Sequence, residues 1–592
     1  MRNKRTGVFL VLLVLGLGIL LSIPRDAVRD DALYLQDAAI MAKCILHGRW
    51  FGDEPVGLHG FLFKLPAALI FMLIGPNATA ATLITVLFAM LAVWLSFRLM
   101  WHVTDSRRWA ATGALLLVAS YHFLDTLPTF LREIPALLAV LFLIHGLVLR
   151  KGHWWMVLGL FLVLDAKEMV YFMVLPGLCA WIIWEGLRHR EMKTAMIRLG
   201  LCFFPLLITI VPMFFTGLIP LNPRLPFIMG LHEGGFSQAL HWKFTAVHFP
   251  SGSIPGAWVN PSTAINAVAT WFWSLLVQIF GPKGFSLVSI PKFIIVPAVA
   301  MGIRLQNRWI KSPLPSLTVL PFIVWPYLAI VTITRSSGRH LLPILPILLI
   351  FFILFIRDGI ADSRFFKHTL IATSVTVALE LVFPHPQQLM NAIIQVAILL
   401  LFWAYYLSTR AATRIRAYSS VLLVGAIAVT TAGSAIVASY LLPGQIGRAL
   451  TWGHLSEIRL MAKYVPPQTP VWVNANPLLT SFYTHQDFLP PKLEKKYYKH
   501  FFRIPKSNRL KRSTPQLIHS FPRKSPQAFL RRIRKKNITS ILLTVSTSPN
   551  KKFRFQHQEL YDYFLNDPNF TLRYTIDFKN KQLHIFKVVP TL

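Results

Sequence analysis

Charged side chains and cysteines are scarce in this chain of 592 residues. Charged residues make up 14% of it, whereas a soluble protein carries about 25%. Three cysteines are too few for a disulfide framework or a zinc-finger array. The sequence also lacks a Walker A motif, a G-x-G-x-x-G after a strand and an H-E-x-x-H motif, which argues against ATP-driven transport and zinc proteolysis. The composition therefore disfavours a soluble enzyme, a disordered protein and a coiled coil.

Hydrophobic residues are abundant instead, at 54% of the chain, and the mean hydropathy is +0.53. A helix of about 20 apolar residues can cross a membrane. The first apolar run follows Arg2, Lys4 and Arg5 and has no small-residue cleavage site, which predicts a retained signal anchor. Thirteen runs are predicted to span the membrane, at residues 7–23, 79–100, 109–124, 134–149, 153–166, 169–184, 197–217, 286–303, 313–333, 341–356, 368–384, 389–407 and 417–442.

The distribution of Lys and Arg predicts the orientation, because cytoplasmic loops of membrane proteins are enriched in these residues. With the N-terminus in the cytoplasm, the cytoplasmic segments hold 21 Lys and Arg against five acidic residues, and the outer loops hold 13 against 11. After thirteen spans the C-terminus would lie outside. This bias explains much of the net charge of +36 without nucleic acid as a partner.

Two predicted outer loops are long, at residues 25–78 and 218–285. The apolar stretch 61–74 in the first of them is too short to span and is expected to lie at the membrane interface. Residues 443–592 differ in composition, with 26 Lys and Arg against seven acidic residues. Their strand-like and helix-like segments alternate. We therefore expect an all-α polytopic membrane domain over 1–442 and a soluble, basic α/β domain over 443–592. The predicted strands start at Val471, Ser540 and Leu583, and the predicted helices cover 528–536 and 558–565.

Acidic residues concentrate on the predicted outer face, which holds 11 of the 17 acidic residues before position 443. The sharpest group is Asp30-Asp31-Ala-Leu-Tyr34, a few residues past the first span. A carboxylate at this position can accept a proton from a hydroxyl or amine nucleophile. The alternative is a solvated loop whose acids cap the next helix.

Other ionisable residues also lie at the predicted outer face. Asp125 and Glu133 lie in one loop, and Lys167 follows the fifth span. Such residues near membrane depth are costly unless they are paired or face a cavity, so anchoring and ion pairing are the alternative to a functional role. Arg335 and Arg339 oppose the charge bias of outer loops, which favours phosphate binding by their guanidinium groups over a snorkelling anchor.

These residues resemble the motifs of the GT-C membrane glycosyltransferases, in the branch that contains protein O-mannosyltransferases and the lipid A aminoarabinose transferase. Asp30-Asp31-Ala-Leu-Tyr34 resembles the family's D-E-x-x-Y, and Gly48-Arg-Trp50 its G-x-W/F element. Arg339-His340-Leu-Leu-Pro343 resembles R-Y-x-x-P, and Glu133-Ile-Pro135 an acidic residue before a Pro. Three departures exist: Asp31 replaces Glu, His340 replaces Tyr, and the K-P-P element appears as Lys64-Leu-Pro66.

The resemblance implies transfer of a sugar from a polyprenyl phosphate to a lipid, glycan or protein acceptor on the outer face, by a single inverting displacement. It implies a multi-pass protein of a bacterial inner membrane with a periplasmic C-terminal domain. No cofactor is implied, although a divalent cation stays open. The implied roles are catalysis for Asp30 and Asp31, with Asp30 first as the base; phosphate binding for Arg335, Arg339, Lys167 and Lys64; and acceptor contact or support for Tyr34, Glu133, Asp125 and His340.

Three other functions stay open at this stage. A transporter or flippase for lipids or polyisoprenoids would need ionisable residues in mid-span, of which Glu380 is the main example. A glycan polymerase or ligase would also act on the outer face, but the acidic first loop argues against it. An inactive scaffold would tolerate replacement of Asp30 and Asp31. The basic tail, including its Lys/Arg-rich segment 492–512, is expected to face anionic lipid or to be a solvated surface.

Overall fold

The described part of the chain is mostly helical. The acidic pair Asp30-Asp31, Arg335, the second long outer loop and the predicted span at 417–442 lie outside it. The computed structural model describes residues 2–22, 32–48, 60–216, 292–311, 315–333, 338–382, 389–408, 471–473, 530–531, 533–534, 538–546, 561–578 and 581–589.

Fifteen α-helices are defined in the described ranges up to residue 408, joined in places by 3-10 turns at Pro315–Thr318, Gly338–Ile344 and Gly359–Ala361. Helix α4 has a side-chain cap at its start, where the Asn77 side chain accepts a hydrogen bond from the backbone N–H of Ala80 (3.1 Å). The helices are α1 Arg2–Ser22, α2 Ala32–Leu46, α3 Phe61–Ile74, α4 Ala78–Thr104, α5 Arg107–Ala119, α6 Tyr121–Thr126, α7 Glu133–Val148, α8 His153–Ala166, α9 Glu168–His189, α10 Met192–Thr216, α11 Lys292–Lys311, α12 Val319–Ile333, α13 Leu345–Asp358, α14 Ser363–Val382 and α15 Leu389–Ser408.

Among the described residues, three helical stretches are long and apolar enough to cross a membrane: Ala78–Thr104, Met169–His189 and His340–Asp358. Shorter apolar helices lie at several other predicted spans, and the count of thirteen stays a prediction. The predicted span 109–124 is not one helix. It breaks at Ser120, whose backbone is extended and whose hydroxyl donates to the carbonyl of Leu117 (2.7 Å). A serine that bonds its own backbone competes with helix continuation.

The larger of the two hydrophobic cores among the described helices contains α13. Every residue of α13 from Leu345 to Ile356 is buried, as expected for a helix that is apolar on all faces. Helix α13 packs against α11 and α5; elsewhere α7 packs against α4 and α8, and α9 packs against α12. The α9–α12 contact is close at Gly177, where an added Cβ would lie 2.1 Å from the carbonyl oxygen of Phe322.

The C-terminal region contains a four-stranded mixed sheet in the order β1-β2-β4-β3. The strands are β1 Val471–Val473, β2 Ser540–Ser546, β3 Phe570–Phe578 and β4 Lys581–Val588. Strand β1 pairs parallel to β2, and β4 pairs antiparallel to both β2 and β3. The three predicted strands are found at their positions, residues 561–566 are helical and overlap the predicted helix 558–565, and β3 was not predicted. A small core forms against the sheet from residues that include Ile533, Ile541, Leu543, Phe564 and Phe586.

Substituting Gly177 by Ala is expected to lower the free energy of unfolding by about 1–3 kcal/mol, because a methyl group cannot fit against the α12 backbone without moving the helix. The midpoint of thermal unfolding in detergent measures the effect. Gly200→Ala is the matched control, since no atom lies within 4 Å of its added Cβ. An equal loss in both variants would contradict close packing at Gly177.

Burial lowers the pKa of His584, although Asp577 acts in the opposite direction. The ring lies 4.1 Å from that of Tyr561, and Nδ1 is 3.0 Å from the Thr575 hydroxyl. Because the unfolded chain binds the proton more tightly, the stabilisation is present above the unfolded pKa, near 6.5, and is lost as the pH falls through the folded pKa.

We therefore expect β4 in the full-length protein to lose amide hydrogen-exchange protection between pH 7.5 and pH 5, after correction for the intrinsic exchange rate. His584→Gln removes the titrating group and should flatten this dependence. The same pH slope in that variant would show that another group is responsible.

Candidate functional site

Ionisable side chains converge where several helices end. Helix α8 ends at Ala166, Lys167 is extended, and α9 begins at the next residue. Helix α7 begins at Glu133, directly after Arg132. The Arg132 Nε donates to the carbonyl oxygen of Ala166 (2.7 Å), one of the carbonyl groups that a helix leaves without an internal partner. The Arg132–Glu133 segment is thereby joined to the end of α8.

Lys167 forms a buried ion pair with Glu133, with Nζ 2.8 Å from Oε1 and side chains 11% and 4% exposed. The same Nζ lies 2.7 Å from Nδ1 of His340. An ammonium group only donates, so Nδ1 accepts and the neutral ring carries its hydrogen on Nε2. The Tyr327 hydroxyl donates to the His340 carbonyl (2.7 Å), which ties the 338–344 turn to α12.

A second buried ion pair joins α2 and α3. The Lys64 Nζ lies 2.8 Å from Oδ2 of Asp37, and the two side chains are 1% and 10% exposed. Removing one partner of such a pair leaves a buried charge that costs about 3–5 kcal/mol. This pair therefore fixes α2, the helix that begins directly after Asp30-Asp31, against α3.

Asp165 connects α3 to the end of α8. Its two carboxylate oxygens accept from the backbone N–H groups of Phe61 and Leu62, each at 3.1 Å. Its carbonyl accepts from the N–H of Gly60 (2.5 Å), whose φ of +76° is readily adopted by glycine. A carboxylate at the first turn of a helix satisfies free N–H groups and complements the helix dipole.

Aromatic contacts link the two ion pairs. The guanidinium of Arg132 lies 5.7 Å from the ring centroid of Tyr34, within cation–π range. The Tyr34 ring packs edge-on against Phe63, and Phe63 lies 4.4 Å from Phe130. Tyr34, the last residue of the predicted acidic motif, therefore contacts the residue beside Glu133.

The structure brings together half of the predicted site residues. Lys167, Glu133 and His340 form one network, and Lys64 and Tyr34 belong to the adjoining one. Asp125 is buried on α6. Asp30, Asp31 and Arg335 lie outside the described residues; Arg339 lies in the 338–344 turn, and its side chain is outside them too.

Three participants were absent from the predicted site: Asp37, Arg132 and Asp165. For two of them a sequence signal existed. Asp37 lies three residues after Tyr34, on the same face of a helix, and Arg132 directly precedes Glu133. With these three, the described network holds three carboxylates (Asp37, Glu133 and Asp165) and three basic side chains (Lys64, Arg132 and Lys167).

No protein-family model matches the chain, and no curated protein matches it. Two solved structures are similar to it along nearly their whole length. ArnT from Cupriavidus metallidurans bound to undecaprenyl phosphate has a TM-score of 0.58 and 15% identity, covering 98% of this chain and 97% of that chain. ArnT from the same organism in the apo state has a TM-score of 0.57 and 15% identity, covering 99% and 98%. At this identity the likeness shows the fold alone, which is similar to that of ArnT.

Glu133→Gln is expected to lower the free energy of unfolding by about 3–5 kcal/mol, because it leaves the Lys167 ammonium buried without a carboxylate. The double variant Glu133→Gln/Lys167→Met should recover much of this loss. Thermal unfolding of both single variants and the double variant gives the coupling free energy.

The pair Arg198–Glu185 is the control for this cycle, with N–O 2.6 Å and side chains 32% and 15% exposed. A partly exposed pair contributes about 0–1 kcal/mol. If both cycles give the same coupling free energy, burial does not determine the strength of the Lys167–Glu133 pair.

Proposed function

We propose that this chain is an integral membrane glycosyltransferase that moves a sugar from a polyprenyl-phosphate donor to an acceptor on the outer face of a bacterial inner membrane. The observation that carries the proposal is the likeness of nearly the whole chain to ArnT, of which one structure is bound to undecaprenyl phosphate. The candidate site supports it, because buried charged groups gather beside the helix that follows Asp30-Asp31.

The proposed reaction is a single displacement at the anomeric carbon. The acceptor hydroxyl or amine forms a bond to this carbon while the bond to the phosphate oxygen breaks, so the configuration inverts. Asp30 takes the proton of the acceptor, with Asp31 beside it as the second carboxylate. The polyprenyl phosphate leaves with the electron pair of the broken bond and gains negative charge that basic side chains stabilise.

Charge balance refines the proposed roles of the basic residues. Lys64 is enclosed with Asp37 and Lys167 is paired with Glu133, so each ammonium already has a carboxylate. We therefore assign the phosphate chiefly to Arg335 and Arg339. Lys167 is the more exposed of the two lysines and assists them.

The other side chains take supporting roles. Lys64 holds α2 in place, and Glu133 and His340 hold the Lys167 ammonium. Tyr34 and Asp125 keep the proposed role of supporting the acceptor. No step of this mechanism requires a cofactor.

The organisation expected from the sequence is part of the proposal. Residues 1–442 form the membrane domain, with the N-terminus cytoplasmic, and residues 443–592 form a periplasmic domain facing anionic lipid. The transferred sugar is a hexose or a pentose, and the proposal includes a mannosyltransferase-like enzyme. The acceptor is a lipid, a glycan or a protein.

A transporter would hold its substrate near the middle of the membrane. The ion pairs Lys64–Asp37 and Lys167–Glu133 instead lie at or near helix ends, which favours a one-sided site.

The proposal predicts that Asp30→Asn/Asp31→Asn abolishes transfer, because neither amide can accept the proton of the nucleophile. Mass spectrometry of polyprenyl-phosphate sugars and membrane glycoconjugates measures this in cells with the wild-type gene, no gene or the double variant. One lipid-linked sugar should accumulate and one conjugate should lose the matching mass, equally in the deletion and the double variant.

Asp105→Asn is the matched control, since Asp105 is an exposed acid on the predicted cytoplasmic side, and its profile should equal the wild type. Identical profiles in all strains would overturn the transferase and favour a transporter or a scaffold. The masses of the accumulated donor and the altered conjugate would identify the sugar and the acceptor.

A further inference from the structure

Helix α4 carries an exposed stripe along one face. Leu83, Leu87, Leu91 and Trp94 are 40%, 51%, 51% and 41% exposed, and Arg98 continues the same spacing of three or four residues. On a helix as apolar as α4, a row of exposed apolar side chains faces lipid. The row ends in Trp94 and the cation of Arg98. This order is typical of a helix that reaches the headgroup layer.

Four basic side chains lie toward this end of α4 and the adjacent end of α7: Arg98 and His102 on α4, His145 in the last turn of α7 and Lys151 just after it, here termed the basic end cluster. The charged groups that act on the His145 ring are all basic, namely Arg98, Lys151 and His102. The Nδ1 atom of His145 is buried and has no hydrogen-bond partner among the described residues. Basic groups gathered in this way repel one another unless an anion lies among them.

Aromatic rings flank the basic end cluster on both sides. The guanidinium of Arg98 lies 5.5 Å from the ring centroid of Trp94, and Nζ of Lys151 lies 4.2 Å from that of Trp155. Helix α7 packs between α4 and α8. Helix α8 adds its own exposed apolar face, formed by Trp154, Leu158 and Phe161.

We propose that the basic end cluster binds the phosphate headgroup of an anionic phospholipid, whose acyl chains lie against the exposed faces of α4 and α8. The positive charge of the cluster complements a phosphodiester, and its Lys and Arg side chains attract an anionic leaflet. The apolar faces that begin beside the cluster select a lipid over a soluble anion.

This site is separate from the candidate catalytic site. Glu133 opens α7 and His145 lies in its last turn, which places them about 18 Å apart along the helix axis. The lipid site therefore does not depend on the proposed glycosyl transfer.

Native mass spectrometry of the full-length protein in detergent tests this site. Phosphatidylglycerol and phosphatidylcholine with the same acyl chains are titrated separately. We expect the wild type to bind phosphatidylglycerol more tightly, and Arg98→Gln/Lys151→Gln to lose about fivefold in that affinity for each cation removed, with phosphatidylcholine binding unchanged.

Arg190→Gln/Lys193→Gln is the matched control, because it removes two exposed cations from the same predicted membrane side, outside the cluster. It should keep the wild-type affinity. Equal binding of both lipids by the wild type, or an equal loss in this control, would overturn the site. Displacement of phosphatidylglycerol by millimolar inorganic phosphate would also overturn it, since the occupant would then be a soluble anion.

Discussion

A lysine ammonium removed from water needs a carboxylate beside it, and two such pairs determine how the helix ends meet at the candidate site. Lys64 requires Asp37, which holds α2 against α3, and Lys167 requires Glu133, which holds the α8–α9 turn against α7. Asp165 joins these two units by capping α3 from the end of α8. The site that we propose for an anionic donor is thus supported by groups whose charges already cancel one another.

Those elements that depend on local patterns could be predicted from the sequence. The length of the apolar runs alone predicts α8 at 153–166 and α13 near 341–356. A segment in lipid forms a helix because its backbone N–H and C=O groups must bond one another. The break at Ser120 was missed because hydropathy does not register a hydroxyl that bonds its own backbone. Strand β3 was missed because Arg573 and Tyr574 are both exposed. Two exposed neighbours interrupt the alternation of buried and exposed residues that identifies a half-buried strand.

The sequence predicted part of the membership of the candidate site, but not which residues pair. Basic and acidic residues at the predicted outer face stood out by type, yet their partners come from distant parts of the chain. Lys64 pairs across 27 residues, and Lys167 reaches His340 across 173. Such pairing follows from how helices pack, and no spacing rule in a single sequence encodes it. This is why the pairing of Lys64 with Asp37 was not predicted, whereas phosphate binding by Lys64 stays a prediction.

The parallel pairing of β1 with β2 affects folding during synthesis. Val471 of β1 can pair with Ser540 of β2 only after Ser540 has left the ribosome. At a translation rate of roughly 5–20 residues per second, the roughly 70 residues between them take about 4–14 seconds to appear. Strand β2 gains its other neighbour, β4, later still. The sheet therefore assembles only after residues 581–588 are made, so a ribosome that stalls before residue 581 releases β2 with one edge open to aggregation.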